Sequence, residues 1–104
     1  MAEFFLDPCV QDELWAIWEF IARDNPDAAT RVVEAAFDTF NTLASAPTLG
    51  RPRKFRNPRL KGVRARGISG FHNYLVFYRS VAGGVQVLHV YHGARNIEAL
   101  FDKA

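Results

Sequence analysis

The stretch "HVYHGARN" at residues 89–96 holds His89, Tyr91, His92 and Arg95 within eight residues. Cleavage of an RNA phosphodiester needs these residue types. One group takes the proton of a ribose 2′-hydroxyl, a cation carries the phosphate charge, and an acid protonates the leaving oxygen. Arg64, Arg66 and Arg79 could extend the cation set. Spacing argues against joint use of the histidines. Three apart on one strand, His89 and His92 face opposite sides unless the strand ends or bulges between them. Alternation groups His89 with Val85, Val87 and Tyr91, as a hydrogen-bonded core histidine. His92 falls at the strand end, where a functional role and a bond that orients the turn both stand. Arg95 has the same two readings: a phosphate ligand, or a hydrogen bond across its own turn.

Other chemistries find little support. Cys9 is the only cysteine, so the chain can form neither an internal disulfide nor a thiolate cluster, which fits a reducing compartment. "GISG" lacks the spacing and lysine of a phosphate-binding loop. No metal-ligand pair stands out at helical or hairpin spacing. The expectation is therefore no metal, no cofactor and no assigned catalytic residue.

The elements that position these residues follow from periodicity. Residues 2–6 can form a short strand. Asp7-Pro8 then starts a helix, with Asp as N-cap. Val10, Leu14, Ile17, Trp18 and Ile21 recur at helical spacing to about Asp24, widened by Trp15 and Ala22. Trp15 and Trp18 are core or partner-facing residues rather than a cofactor box. "DNPDAA" restarts a helix, which buries Val33, Ala36, Phe37, Phe40, Leu43 and Ala44 and ends before Pro47. Two helices with almost no linker form a hairpin. Residues 46–62 carry three prolines, two glycines and six bases, and read as a loop. Strands follow at 63–69, 73–79 and 85–92, the last two joined by a Gly-Gly turn. Tyr74, Val76 and Tyr78 share one face of the central strand, and Leu75 and Phe77 the other. Both faces must be covered. The helical hairpin covers one, and the C-terminal segment, a partner, or both cover the other. Asn96 caps a final short helix with Ile97, Leu100 and Phe101 as its apolar stripe.

The fold expected is α+β: an N-terminal strand and helical hairpin packed on an antiparallel sheet of three to four strands, with a short C-terminal helical segment, in one domain over residues 1–104. The N-terminus has no signal-peptide pattern, and no apolar run is long enough for a membrane helix, so the expected location is cytoplasmic, with no membrane partner.

Charge divides the chain. Residues 1–38 contain nine acids against Arg23 and Arg31, whereas residues 39–97 contain ten bases and no acid. Such asymmetry sets up a field suited to an anionic partner, or to pairing between the two halves.

Four stretches, in order along nearly the whole chain, carry a resemblance: "ARDNPDAATRVV", "LASAPTLGRPR", "GFHNYLVFYR" and "VLHVYHGARNIEALF". With the strand, helical hairpin, basic loop and meander, this pattern resembles the ParE branch of the RelE/ParE toxin superfamily, the toxins of type II toxin–antitoxin (plasmid stabilisation) systems. Asn96 stands where that family commonly has Asp. The loop is also unusually basic and proline-rich. The resemblance implies a DNA gyrase inhibitor that is not an enzyme, bound in a hetero-oligomer by a cognate ParD-like, ribbon-helix-helix antitoxin. Two alternatives accompany it: a RelE-like ribosome-dependent mRNA endoribonuclease, and a non-toxic antitoxin-binding module. RelE-like members place catalytic Lys, Arg and Tyr around the sheet and tail. Here the tail beyond Arg95 has no Tyr, so the proton-transfer set is incomplete.

Toxicity is expected on the basic sheet side and the final turn, at Arg64, Arg66, Arg79, His92 and Arg95. Arg64 and Arg66 project to one face, where they hold either an anionic group or the acids of the first helix, such as Glu13 or Glu19. Antitoxin binding is expected at Trp15, Trp18, Arg53, Arg56 and Tyr74. The isolated chain is expected to self-associate through the uncovered face of its sheet.

Overall fold

The computed structural model describes residues 2–93 and 96–103. Strand β1 (Glu3–Leu6) leads into helix α1 (Pro8–Ala22) and helix α2 (Pro26–Ser45). A 3-10 turn at Pro47–Leu49, the two-residue strand β2 (Arg51–Pro52) and a second 3-10 turn at Pro58–Leu60 fill the proline-rich stretch. Strands β3 (Arg64–Ile68), β4 (Phe71–Val81) and β5 (Gly84–His92) and helix α3 (Ile97–Lys103) complete the chain. The five strands form one sheet in the order β1-β5-β4-β3-β2. The meander is antiparallel, and β1 joins its far edge parallel to β5, with Glu3 beside Gly84 and Leu6 beside Val87. Proline spacing hid β2 within the basic loop, and the parallel docking of β1 has no local signal.

The caps show how sequence becomes geometry. At α2, Pro26 sits in the first turn and the Asn25 side chain accepts from the Ala28 N–H at 3.1 Å. At α1, Asp7 occupies the cap position but makes no side-chain cap bond. Its carboxylate instead accepts from the Gln86 amide at 2.5 Å, and its N–H donates to the Val87 carbonyl at 3.0 Å. That corner is fixed by tertiary contacts rather than by a local cap.

The hairpin of α1 and α2 covers one face of the sheet. Val10, Leu14, Val32, Ala36, Phe40 and Leu43 pack there on Val76, Tyr78, Val85, Val87 and Val90. The other face is covered by the chain itself: Leu60 and Val63 from the loop and Ile97 and Phe101 from α3 lie on Ala65, Phe77, Leu88 and Tyr91. The C-terminal segment is thus one of this face's covers, as expected, and the loop is the other, so the exposed sheet patch expected to drive self-association is covered. Among the described residues the exposed large apolar ones are Phe5, Trp15, Phe20 and Leu49, so three of these four lie on β1 and α1 rather than on the meander.

Strand β5 also departs from strict alternation. Phe77 pairs with His89, but Tyr78 pairs with Val87, which leaves Leu88 as an extra residue. This bulge lets Val87 and Val90 both face the helices. His89 consequently leaves the face of Val85 and Val87 and stacks on Tyr91, with ring centroids 4.7 Å apart.

Candidate functional site

The basic end of the molecule is organised by the exit of α2. The buried Tyr78 hydroxyl accepts from the Gly50 N–H at 2.8 Å and donates to the Pro47 carbonyl at 2.6 Å. A side chain at Gly50 would overlap the Tyr78 ring and hydroxyl. Burial raises the Tyr78 phenol above its ordinary value, against the lowering effects of the Gly50 bond and of Arg64 and Arg66. Arg64, opposite Tyr78 in the neighbouring strand, donates to the Gly50 carbonyl at 2.8 Å and to the Thr48 carbonyl at 3.4 Å. Its charge is thus spent on the loop's carbonyls and not on Glu13 or Glu19.

Arg66, two residues along, projects to the same face but is exposed. Since β2 pairs only with Arg64 and Ala65, the edge of β3 at Arg66 is open. There Arg66 borders a cleft with Arg51, Arg53 and His72. The Arg53 guanidinium lies over the Phe77 ring, 5.5 Å from its centroid, on the face away from the helices. Arg56 is exposed on the same loop. On β4, Arg79 donates from Nη2 to the Arg59 carbonyl at 3.3 Å, while its Nε is buried without a hydrogen-bond partner. Arg95 lies outside the described residues.

The two histidines of the last strand do not converge. His92 packs edge-on against Tyr74, with centroids 5.2 Å apart, in a groove that Ile17 and Phe20 of α1 also line. His89 is only 6% exposed. Its Nδ1 lies 2.6 Å from Glu13 Oε2, 2.8 Å from the Tyr91 hydroxyl and 3.6 Å from Cys9 Sγ. A carboxylate only accepts, so Nδ1 is the donor in its hydrogen bond to Glu13. Glu13 Oε1 in turn accepts from the Val90 N–H at 2.9 Å. Because β1 ends at Leu6, β5 has no neighbouring strand there, and Glu13 caps its edge. The Cys9 thiol donates to the Leu88 carbonyl at 3.3 Å, and burial, followed by Glu13 and Asp7, raises its pKa. Sequence reading missed this cluster. Cys9 and Glu13 are four apart on α1, the signal that could have found it.

On the outer face of the hairpin, Trp15 and Trp18 stack in parallel, 5.4 Å between centroids. Trp15 is 60% exposed. The Trp18 indole donates to the Thr30 hydroxyl at 3.3 Å, which ties α1 to α2. Trp15 and Trp18 therefore share a surface, whereas Arg53 lies behind the sheet and Tyr74 in the groove between. The five residues expected to bind antitoxin form no single flat patch.

This arrangement of hairpin, meander and short terminal helix is an α+β fold. It is similar to a chain in the structure "Chromosomal ParDE TA system from P. aeruginosa", with a TM-score of 0.69 at 18% identity, covering 88% of this chain and 96% of that one. Residues 5–97 match the family described as "ParE toxin of type II toxin-antitoxin system, parDE". With nearly the whole length matched, the chain belongs to the ParE toxin family. No curated protein matches it. Among the described residues, no helix is long and apolar enough to cross a membrane.

Proposed function

We propose that this chain acts in the cytoplasm as a toxin that inhibits DNA gyrase without being an enzyme, and that a cognate ribbon-helix-helix antitoxin neutralises it. One observation carries the choice against ribonuclease action. His89 is held in a buried contact with Glu13, and His92 lies away from it against Tyr74. The strongest candidates for general acid and base thus have no common substrate position. Among the described arginines named for toxicity, Arg66 is the one best placed to meet an anionic target, since Arg64 and Arg79 already donate to loop carbonyls. The test is direct: add purified chain to gyrase and relaxed plasmid, and separately to translating ribosomes. Loss of supercoiling with intact mRNA supports the proposal. Cut mRNA with normal supercoiling sinks it in favour of the ribonuclease alternative. Unimpaired growth of bacteria making soluble chain alone would instead leave only an antitoxin-binding module.

The antitoxin is proposed to begin on the exposed Trp15–Trp18 stack. Continuing through the groove at Tyr74 to Arg53 and Arg56 requires a segment that wraps around the molecule. A chain with alternating apolar and acidic residues would suit these contacts. Trp15→Ala should weaken antitoxin binding by about 2 kcal/mol or more if the stack is an anchor. Unchanged affinity in a calorimetric titration would remove the hairpin face from the interface.

A further inference from the structure

The charged cluster at the open edge of β5 has a use that toxicity does not explain. We propose that Cys9, Glu13 and His89 bind one zinc ion, which joins α1 to the last strand. Three kinds of donor, a thiol, a carboxylate and an imidazole, lie with their ligand atoms all within 4.8 Å of one another. This mixed sulfur, oxygen and nitrogen set is the borderline-soft combination that zinc selects. Bond lengths of about 2.0–2.3 Å set ligand-to-ligand separations of roughly 3.3–3.6 Å in a tetrahedral site. The Cys9 Sγ to His89 Nδ1 distance is 3.6 Å. The Glu13 contact, at 2.6 Å, is shorter because a hydrogen bond occupies the same space. On zinc binding it opens slightly, the imidazole shifts to its Nε2–H tautomer so that the Nδ1 lone pair faces the ion, and the Cys9 thiol proton leaves to solvent.

The surroundings are those of a built site. Glu13 turns one oxygen to the Val90 N–H at 2.9 Å, which aims the other at His89. Such outer bonds orient metal-ligating carboxylates. The His89 ring is clamped between Tyr91, 17° from parallel, and the edge-on Phe101. The Tyr91 hydroxyl, 2.8 Å from Nδ1, or a water completes the four positions. Cys9 and Glu13 are partly exposed, so the ion has a path in from the strand edge.

The experiment uses the full chain without a histidine tag. Zinc is titrated in competition with a chromogenic chelator, and cobalt(II) then replaces zinc as a spectroscopic probe. The expected result is one zinc per chain, a thiolate-to-cobalt charge-transfer band, and zinc affinity at least about tenfold weaker in Cys9→Ser and in Glu13→Gln. Both substitutions are near-isosteric, and a melting curve checks that each variant folds. The unsubstituted chain decides even if they do not, because a cobalt complex without the thiolate band overturns the proposal. So does failure to take zinc from the chelator. Undiminished binding in both folded variants also overturns it, placing the ion on an exposed imidazole such as His72.

Discussion

The two faces of the sheet are covered by different kinds of element. Against the helices the core is mainly aliphatic, with Phe40 and Tyr78 as its largest buried members, and long amphipathic helices supply the cover. On the other face Phe55, Phe77 and Tyr91 gather around Phe101 among aliphatic residues such as Leu60, Val63 and Leu88, and a proline-rich loop and a seven-residue helix supply the cover. Short helices are marginal alone and depend on the surface they dock against. The first face should therefore define global stability, and the second should open locally.

The largest effect that tests this contrast is Phe40→Ala. Phe40 is fully buried, so its loss should cost about 3–5 kcal/mol in urea unfolding and accelerate hydrogen exchange throughout the chain. On the second face, Phe101→Ala should cost less, about 1.5–3 kcal/mol, with faster exchange confined to α3 and the loop at 53–63. Equal global losses from the two would erase the distinction.

How much of this was legible in sequence depends on range. The helical hairpin, the meander and the capped last helix follow from periodicity and from Asn25, Pro26 and Asn96, because each is a local pattern. The docking of β1 on β5 joins Glu3 to Gly84, and the Leu88 bulge is set by packing across strands, so neither leaves a mark in a short window. The candidate site divides in the same way. That Arg64 and Arg66 share a face follows from alternation. That only Arg64 is tied down depends on carbonyls at Thr48 and Gly50, which the sequence does not place.

Tyr78→Phe sharpens the picture on the helix face. It leaves the Gly50 N–H and the Pro47 carbonyl without their partner, at a cost of about 1–3 kcal/mol. Because burial raises the phenol's pKa in the folded state, its contribution is fully present below the unfolded value of about 10 and is lost as pH rises through the folded value. Alkaline titration of stability should lose that component in the phenylalanine variant. An identical slope would show that Tyr78 is not its source.

The smallest stability effect should come from Arg66→Gln, within about 0.5 kcal/mol, as expected of an exposed residue. Growth should nonetheless recover when this variant is expressed, if Arg66 meets the target. Arg64→Gln is expected to lower the melting temperature through the loss of its bonds to the loop. A folded, fully toxic Arg66 variant would move the search for the target surface elsewhere.

The pairing of Glu3 with Gly84 also has a consequence in time. Strand β1 has no place in the sheet until β5, far along the chain, has also been made. A side chain at Gly84 would run into the Glu3 backbone, so this junction admits the two strands only at close range. Contacts so distant along the chain form slowly, since a long loop must close before they are rewarded. A partly synthesised toxin thus lacks its finished sheet, and stopped-flow refolding should show closure of β1 on β5 as a late step. Any surface that needs the finished sheet would then assemble only after β5 has joined β1.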